Sequence, residues 1–160
     1  MPRKLILMST LIELIDDEFL IPYEPELGPG ELPLRSICLT PGFVDWVDNA
    51  LDQLPGGTKQ MTLRDEAEQI LDAFVRGDKL TGNMYKIKPE VGLWKLHTPN
   101  LRMCGAIVGV TKLVLVSGHH QSDLHGKNTT KKYASIHKNV LACMKKLRLK
   151  PLVGERHEVL

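Results

Sequence analysis

No stretch of the 160-residue chain approaches the roughly 18 consecutive apolar residues that a membrane span requires, so no membrane partner is expected. The opening Met1-Pro-Arg-Lys, followed by Leu5 to Ile12, has the outline of a secretion signal. Glu13 interrupts it, Asp16, Asp17 and Glu18 follow, and no small-residue cleavage site appears, so the expected location is cytoplasmic. Cysteine is scarce. Cys38, Cys104 and Cys143 are odd in number, far apart and free of CxxC spacing, and read as reduced core thiols. Glycine at every third position is absent, which excludes a collagen-like chain, and no internal repeat or low-complexity segment is found. What remains is ordinary: 42% hydrophobic and 25% charged residues exclude a disordered chain. A single domain of this length buries about two-thirds of its unfolded surface and needs no covalent staples.

The net charge of +2 conceals a division. Residues 1–80 hold 7 Lys/Arg against 15 Asp/Glu, and residues 81–160 hold 14 against 4. All six histidines also lie in the second half. A basic half with clustered histidines suggests a polyanionic partner, nucleic acid being the commonest. The competing reading, acidic helices neutralising a basic sheet, accounts for the charge but not for the segregated histidines.

Residues 4–20 suit either a strand or a helix. Pro22, Pro25, Pro29 and Pro33, with Gly28 and Gly30, then form a stiff connector, so 1–33 reads as an extension on a domain spanning 34–150, with 151–160 as a tail. Residues 34–39 suit a strand. Thr40-Pro41 opens a helix whose apolar face runs from Phe43 to Leu54, and Pro55-Gly56-Gly57 ends it. Thr62 with Asp65 opens a second helix, which Gly77 stops. The period then changes to two. Residues 84–88, 92–97, 101–110 and 112–118 read as antiparallel strands, and 129–148 as a last helix with Lys131, Lys132, Lys138, Lys145 and Lys146 outside its apolar stripe. The expected fold is α+β: a small antiparallel sheet with two helices before it and one after it, the helices on one face, plus the extension.

This order, together with Lys88-Pro89, Gly92-Leu93-Trp94-Lys95-Leu96-His97, the turn Thr98-Pro99-Asn100, Leu101-Arg102-Met103 and the run Lys112–Gly118, resembles the RelE/ParE/HigB superfamily of small toxins, most nearly its phage-derived, HigB-like branch. The resemblance covers about residues 34–148 and departs from the family's Trp-Glu-Leu-Arg pattern at Lys95 and His97. It implies a RelE-like sheet and a cytoplasmic toxin that cuts ribosome-associated mRNA without metal or cofactor, with a cognate antitoxin as a possible partner. In that chemistry the RNA's 2′-OH attacks the adjacent phosphate and leaves a 2′,3′-cyclic end. A base, a cation for the phosphorane and an acid for the leaving 5′-oxygen are required.

The residues offer candidates for each role. Arg102, where the family's strand arginine falls, presents a guanidinium fork matching two phosphate oxygens; an exposed arginine in an ion pair is the equal alternative. Lys95 and His97 share one strand face, opposite the core-facing Trp94 and Leu96, and the hairpin brings them beside Arg102. His119, favoured over His120, can exchange a proton near neutral pH. Tyr133 is an active-site tyrosine by resemblance and a core residue by pattern. Lys88, His120, Lys127, Lys131 and Lys132 are candidate phosphate contacts, three of them crowding the start of the last helix against its dipole. His119, His120, Asp123 and His125 have zinc-compatible chemistry, but their spacing matches no defined metal motif, so no metal is expected. The competing class is a non-catalytic binder on the same fold, directed at RNA, the ribosome or a host enzyme, as in gyrase-directed ParE-like members. The acidic extension is expected to pack on the core and to cover or frame the RNA site.

Overall fold

The computed structural model describes residues 9–88 and 91–160, with 86–88 described through their backbone alone. Residues 1–8, where the apolar opening begins, and Pro89-Glu90 lie outside the described residues. The chain forms helix α1 (Leu11–Asp16), strands β1 (Ile21–Pro22) and β2 (Ser36–Leu39), and helices α2 (Pro41–Asp45) and α3 (Leu63–Arg76). Strands β3 (Met84–Lys88), β4 (Leu93–His97), β5 (Leu101–Gly109) and β6 (Lys112–His120) follow, then α4 (Thr129–Leu147) and the short α5 (Arg156–Val159).

The local signals act as expected. Thr40 Oγ1 accepts from Phe43 N at 3.2 Å, with Pro41 in the first turn. Thr62 and Asp65 cap reciprocally, and Gly77, at φ +85°, closes α3 in the left-handed conformation. One helix departs from regularity. Beyond α2 the backbone widens into a π-type turn at Trp46–Ala50, then tightens into a 3₁₀ turn at Leu51–Gln53; Asn49 Nδ2 donates to Asp45 Oδ1 at 2.6 Å across the wide turn.

The sheet has six strands in the order β1-β2-β6-β5-β4-β3. It corrects the expectation of an antiparallel sheet: β2 runs parallel to β6, Ser36 opposite Lys112 and Leu39 opposite Leu115, while the other neighbours are antiparallel. Placement of all helices on one face is also corrected. On one side α2 and α3 pack Phe43, Leu71 and Phe74 over Trp94, Leu96, Met103 and Leu115. On the other, α4 packs Ile136, Val140 and Met144 over Leu93, Cys104, Ala106 and Val114, joined by Leu14 and Leu20 of the extension. Both sheet faces are apolar at their centre, so each needs a helical cover.

The extension is tied to the domain away from α4's first turn. Ser9 N donates to Arg148 O beyond the far end of α4, β1 pairs with β2, and the Tyr23 hydroxyl donates to Asp72 at 2.6 Å. Its acidic Glu31 pairs with Arg76 rather than with the basic half. Residues 151–160 also belong to the core: Leu152 N donates to Ile107 O, Thr111 N donates to Val159 O, and Val159 is buried. Cys38 and Cys104 are buried and unbridged, and Cys143 is unbridged and half-buried.

One buried carboxylate fixes the β4–β5 turn. Glu66 of α3 accepts from Asn100 N at 2.8 Å and from Asn100 Nδ2 at 3.0 Å, and Asn100 O accepts from Gln121 N. Hydrogen bonds to a charged acceptor contribute about 1.5–3 kcal/mol each. Glu66→Ala is therefore expected to cost about 2–4 kcal/mol and lower the melting temperature by roughly 5–15 °C, with a smaller loss for Glu66→Gln. Thermal denaturation checks this; an unchanged midpoint in the alanine variant removes Glu66 as the clamp.

Candidate functional site

The β4–β5–β6 meander sets three of the expected residues in one cross-strand row: His97 lies opposite Arg102, and Arg102 opposite His119. Directly opposed residues on neighbouring strands place their Cβ atoms about 5 Å apart, so the three side chains start from one line across the sheet. The next row toward the sheet centre is Tyr85, Lys95, Cys104 and Ser117. Trp94 and Leu96 point to the opposite face and are buried, as the period-two reading requires.

His119 joins this group through an irregularity. Leu113 and Leu115 face α3, so strict alternation would send residues 117 and 119 there as well. A register shift between Cys104 and Gly105 reverses the parity, aligning Ser117 with Cys104 and His119 with Arg102. His119 Nε2 then lies 2.9 Å from Ser117 Oγ.

The face is not open sheet. Helix α4 lies over it, and Lys95 Nζ donates to the Tyr133 hydroxyl at 3.2 Å while resting 4.2 Å from that ring's centre. Tyr133 packs against the core, as its place in the helical pattern implies, and also meets a candidate site lysine. At the start of α4 Lys127 and Lys131 are exposed and Lys132 is half-buried. The side chain of Lys88 lies outside the described residues. Arg102 is half-exposed, and its Nη1 donates to Thr98 O at 2.7 Å and Leu101 O at 2.9 Å, which holds the fork against its own turn.

His120 does not belong here. It faces the α3 side, 5% exposed, with Nε2 2.7 Å from Pro55 O and Nδ1 2.7 Å from Ser122 Oγ. It fixes the 3₁₀ turn at Gln121–Leu124 rather than meeting a phosphate. His119 and His120 thus point apart, and among the described residues no group of three His, Cys, Asp or Glu side chains is placed to hold a metal ion.

Three neighbours escaped the sequence reading. The Tyr85 ring packs 4.5 Å from His97 between centroids, Ser117 contacts His119, and His137 stacks 6.4 Å from Tyr133. Only His137 had a readable signal, its position one helical turn after Tyr133.

The electrostatics favour neutral imidazoles. Burial first, then the charges of Arg102 and Lys95, bring His97 down to about 3. Its Nε2 is buried with no hydrogen-bond partner among the described residues. Burial also lowers His119, opposed by Asp123. Burial pushes the Cys104 thiol up to about 12, against the pull of Lys95 and Arg102, which leaves it an inert thiol.

The unfolded chain binds more protons than the folded one between about pH 3 and 6.5, so stability contributed at His97 is lost as pH falls through that window. The denaturation midpoint of the wild type is expected to fall more steeply from pH 6.5 to 4 than that of His97→Phe. Imidazole NMR titration should find His97 uncharged at pH 5. A His97 that titrates at 6.5 would contradict this environment.

Comparison with protein-family models, with curated proteins and with solved structures finds no match.

Proposed function

We propose that the protein is a metal-independent endoribonuclease of the RelE/HigB kind, acting on mRNA by 2′-OH attack. The observation that carries this reading is the His97–Arg102–His119 row, two histidines paired across the strands with one arginine whose guanidinium is anchored. Arg102 Nη2 and Nε–H take no partner among the described residues and are suited to two phosphate oxygens. His97 is the base of this reading and takes the 2′-proton. His119, lowered by burial with Asp123 opposing, takes up a proton from solvent as the phosphate binds and gives it to the departing 5′-oxygen. Lys95, held by Tyr133, adds positive charge beside the phosphorane. Lys127, Lys131 and Lys132 extend that charge along the RNA backbone. A cognate antitoxin remains part of this proposal as a partner.

The test is cleavage of RNA by the purified chain, with and without ribosomes, in EDTA. The expected products are a 2′,3′-cyclic phosphate and a 5′-hydroxyl, at a rate that chelation leaves unchanged. Activity lost in EDTA and restored by zinc would overturn the mechanism. One observation favours a second reading: the Nη1 of Arg102 is already committed to two carbonyl groups of its own turn, as suits a non-catalytic RNA- or ribosome-binding protein. RNA binding without cleavage under any of these conditions would select it.

A further inference from the structure

Across the sheet from this row, on the α3 side, a second group of cations surrounds a cavity of about 410 Å³. Arg35, Lys79, Arg156 and His157 line it together with Leu80, Thr81 and Leu160, and no lining side chain carries a carboxylate. The nearest acid acting on Arg35 is Asp78, whose Oδ2 already accepts from Arg76 at 2.9 Å. Glu158, in the same segment as Arg156, caps Glu155 N through Oε1.

Both guanidiniums are fixed before any ligand arrives. Arg35 donates from Nη1 to Asp78 O at 3.1 Å and Phe74 O at 3.3 Å and from Nη2 to Gly77 O at 3.4 Å, with its head 5.1 Å from the Phe74 ring centre. Arg156 donates to Met84 O and lies 6.0 Å from the Trp94 ring centre. They are close enough to repel: burial lowers Arg35, and the charge of Arg156 adds to that effect while Asp78 opposes it. A fold that holds two like charges beside Lys79 and His157 without an acidic side chain among the lining residues is arranged for an anion. The apolar sides, Leu80 and Leu160, suit an uncharged body attached to that anion, and the volume lies in the range of small-ligand pockets.

We propose that this cavity binds a phosphomonoester of nucleotide size, its phosphate held between Arg35 and Arg156 and its organic part against Leu80 and Leu160. The site is separate from the His97–Arg102–His119 row and does not depend on the nuclease reading. Arg35, its Nη1 and Nη2 tied to backbone carbonyl groups, offers its charge and Nε–H beside the Arg156 guanidinium, and the exposed Lys79 and His157 add charge at the mouth.

The test is calorimetric titration of the full chain with AMP and, separately, inorganic phosphate. AMP is expected to bind with a dissociation constant of about 10 μM to 1 mM, at least about tenfold tighter than phosphate. Arg156→Gln should weaken AMP about tenfold or more, with ¹⁵N spectra establishing that it is folded. The surface double variant Lys79→Ala/His157→Ala, which threatens no core contact, should weaken AMP several-fold, and Arg102→Ala should leave it unchanged. Absence of AMP binding, equal binding of AMP and phosphate, indifference to both cavity variants, or loss in Arg102→Ala would each overturn the proposal.

Discussion

Arg102→Ala is expected to lower RNA cleavage by about 10²–10³-fold, the usual loss when one preorganised donor to a developing anion is removed. The same substitution deletes two hydrogen bonds from Nη1 to Thr98 O and Leu101 O, which puts the stability loss at about 1–3 kcal/mol. A domain with the usual margin of about 5–15 kcal/mol remains folded after that loss. Arg102→Lys keeps the charge without the fork and should fall between the two. Single-turnover cleavage together with urea denaturation separates the effects. A variant that is folded and cleaves at the wild-type rate would remove Arg102 from the chemistry, as would a loss no larger than its unfolded fraction.

Gly105→Ala is expected to give the largest stability loss of any single methyl addition considered. A Cβ at this position would sit inside the van der Waals shells of Val114 O and Leu115 Cα, both backbone atoms of the adjoining strand. Backbone in the middle of a ladder cannot turn aside as a side chain can, so the β5–β6 pairing must open or slip, at about 3–5 kcal/mol. Gly109→Ala is the control, since the atom met there is the flexible end of Lys112, and a loss below about 1 kcal/mol is expected. The consequence reaches the candidate site, because the register shift at Gly105 is what turns His119 toward Arg102. Amide exchange in β6 and the chemical shift of His119 would both move in Gly105→Ala. A variant as stable as wild type would mean that the strands already have room at this point.

These two residues mark the boundary of what the sequence made legible. Arg102 could be placed beside Lys95 and His97 because a tight turn and a period of two leave few alternatives. The caps at Thr40 and Thr62 were legible for a similar reason, each being a bond between residues three apart. The parity of β6 was not. Nothing in the run from Lys112 to His120 announces an extra residue against Gly105, so the sequence does not assign His119 and His120 to faces, and the ring nitrogens of His120, expected at a phosphate, are instead occupied by Ser122 and Pro55. The side of the sheet that α4 covers was equally hidden. An apolar stripe of Ile136, Val140 and Met144 fixes that a helix buries one side, but not which surface receives it. The parallel pairing of β2 with β6 joins segments with no local signal for each other, and tertiary packing alone decides it.

That pairing also has a temporal meaning. Thr40, just beyond β2, donates through its hydroxyl to Val116 O, 76 positions later in the chain. Strands β3 to β6, by contrast, join through successive neighbours. During synthesis β2 leaves the ribosome first and waits with its edge unsatisfied until β6 arrives. The His97–Arg102–His119 row, whose last member lies in β6, assembles from a stretch of nearby residues at low loop-closure cost. Helix α4 comes later still, and with it the Tyr133 hydroxyl that fixes Lys95. A nascent chain therefore holds its cations in line before it holds them still, and the first turns of α4, which carry Tyr133, are the ones that complete the arrangement.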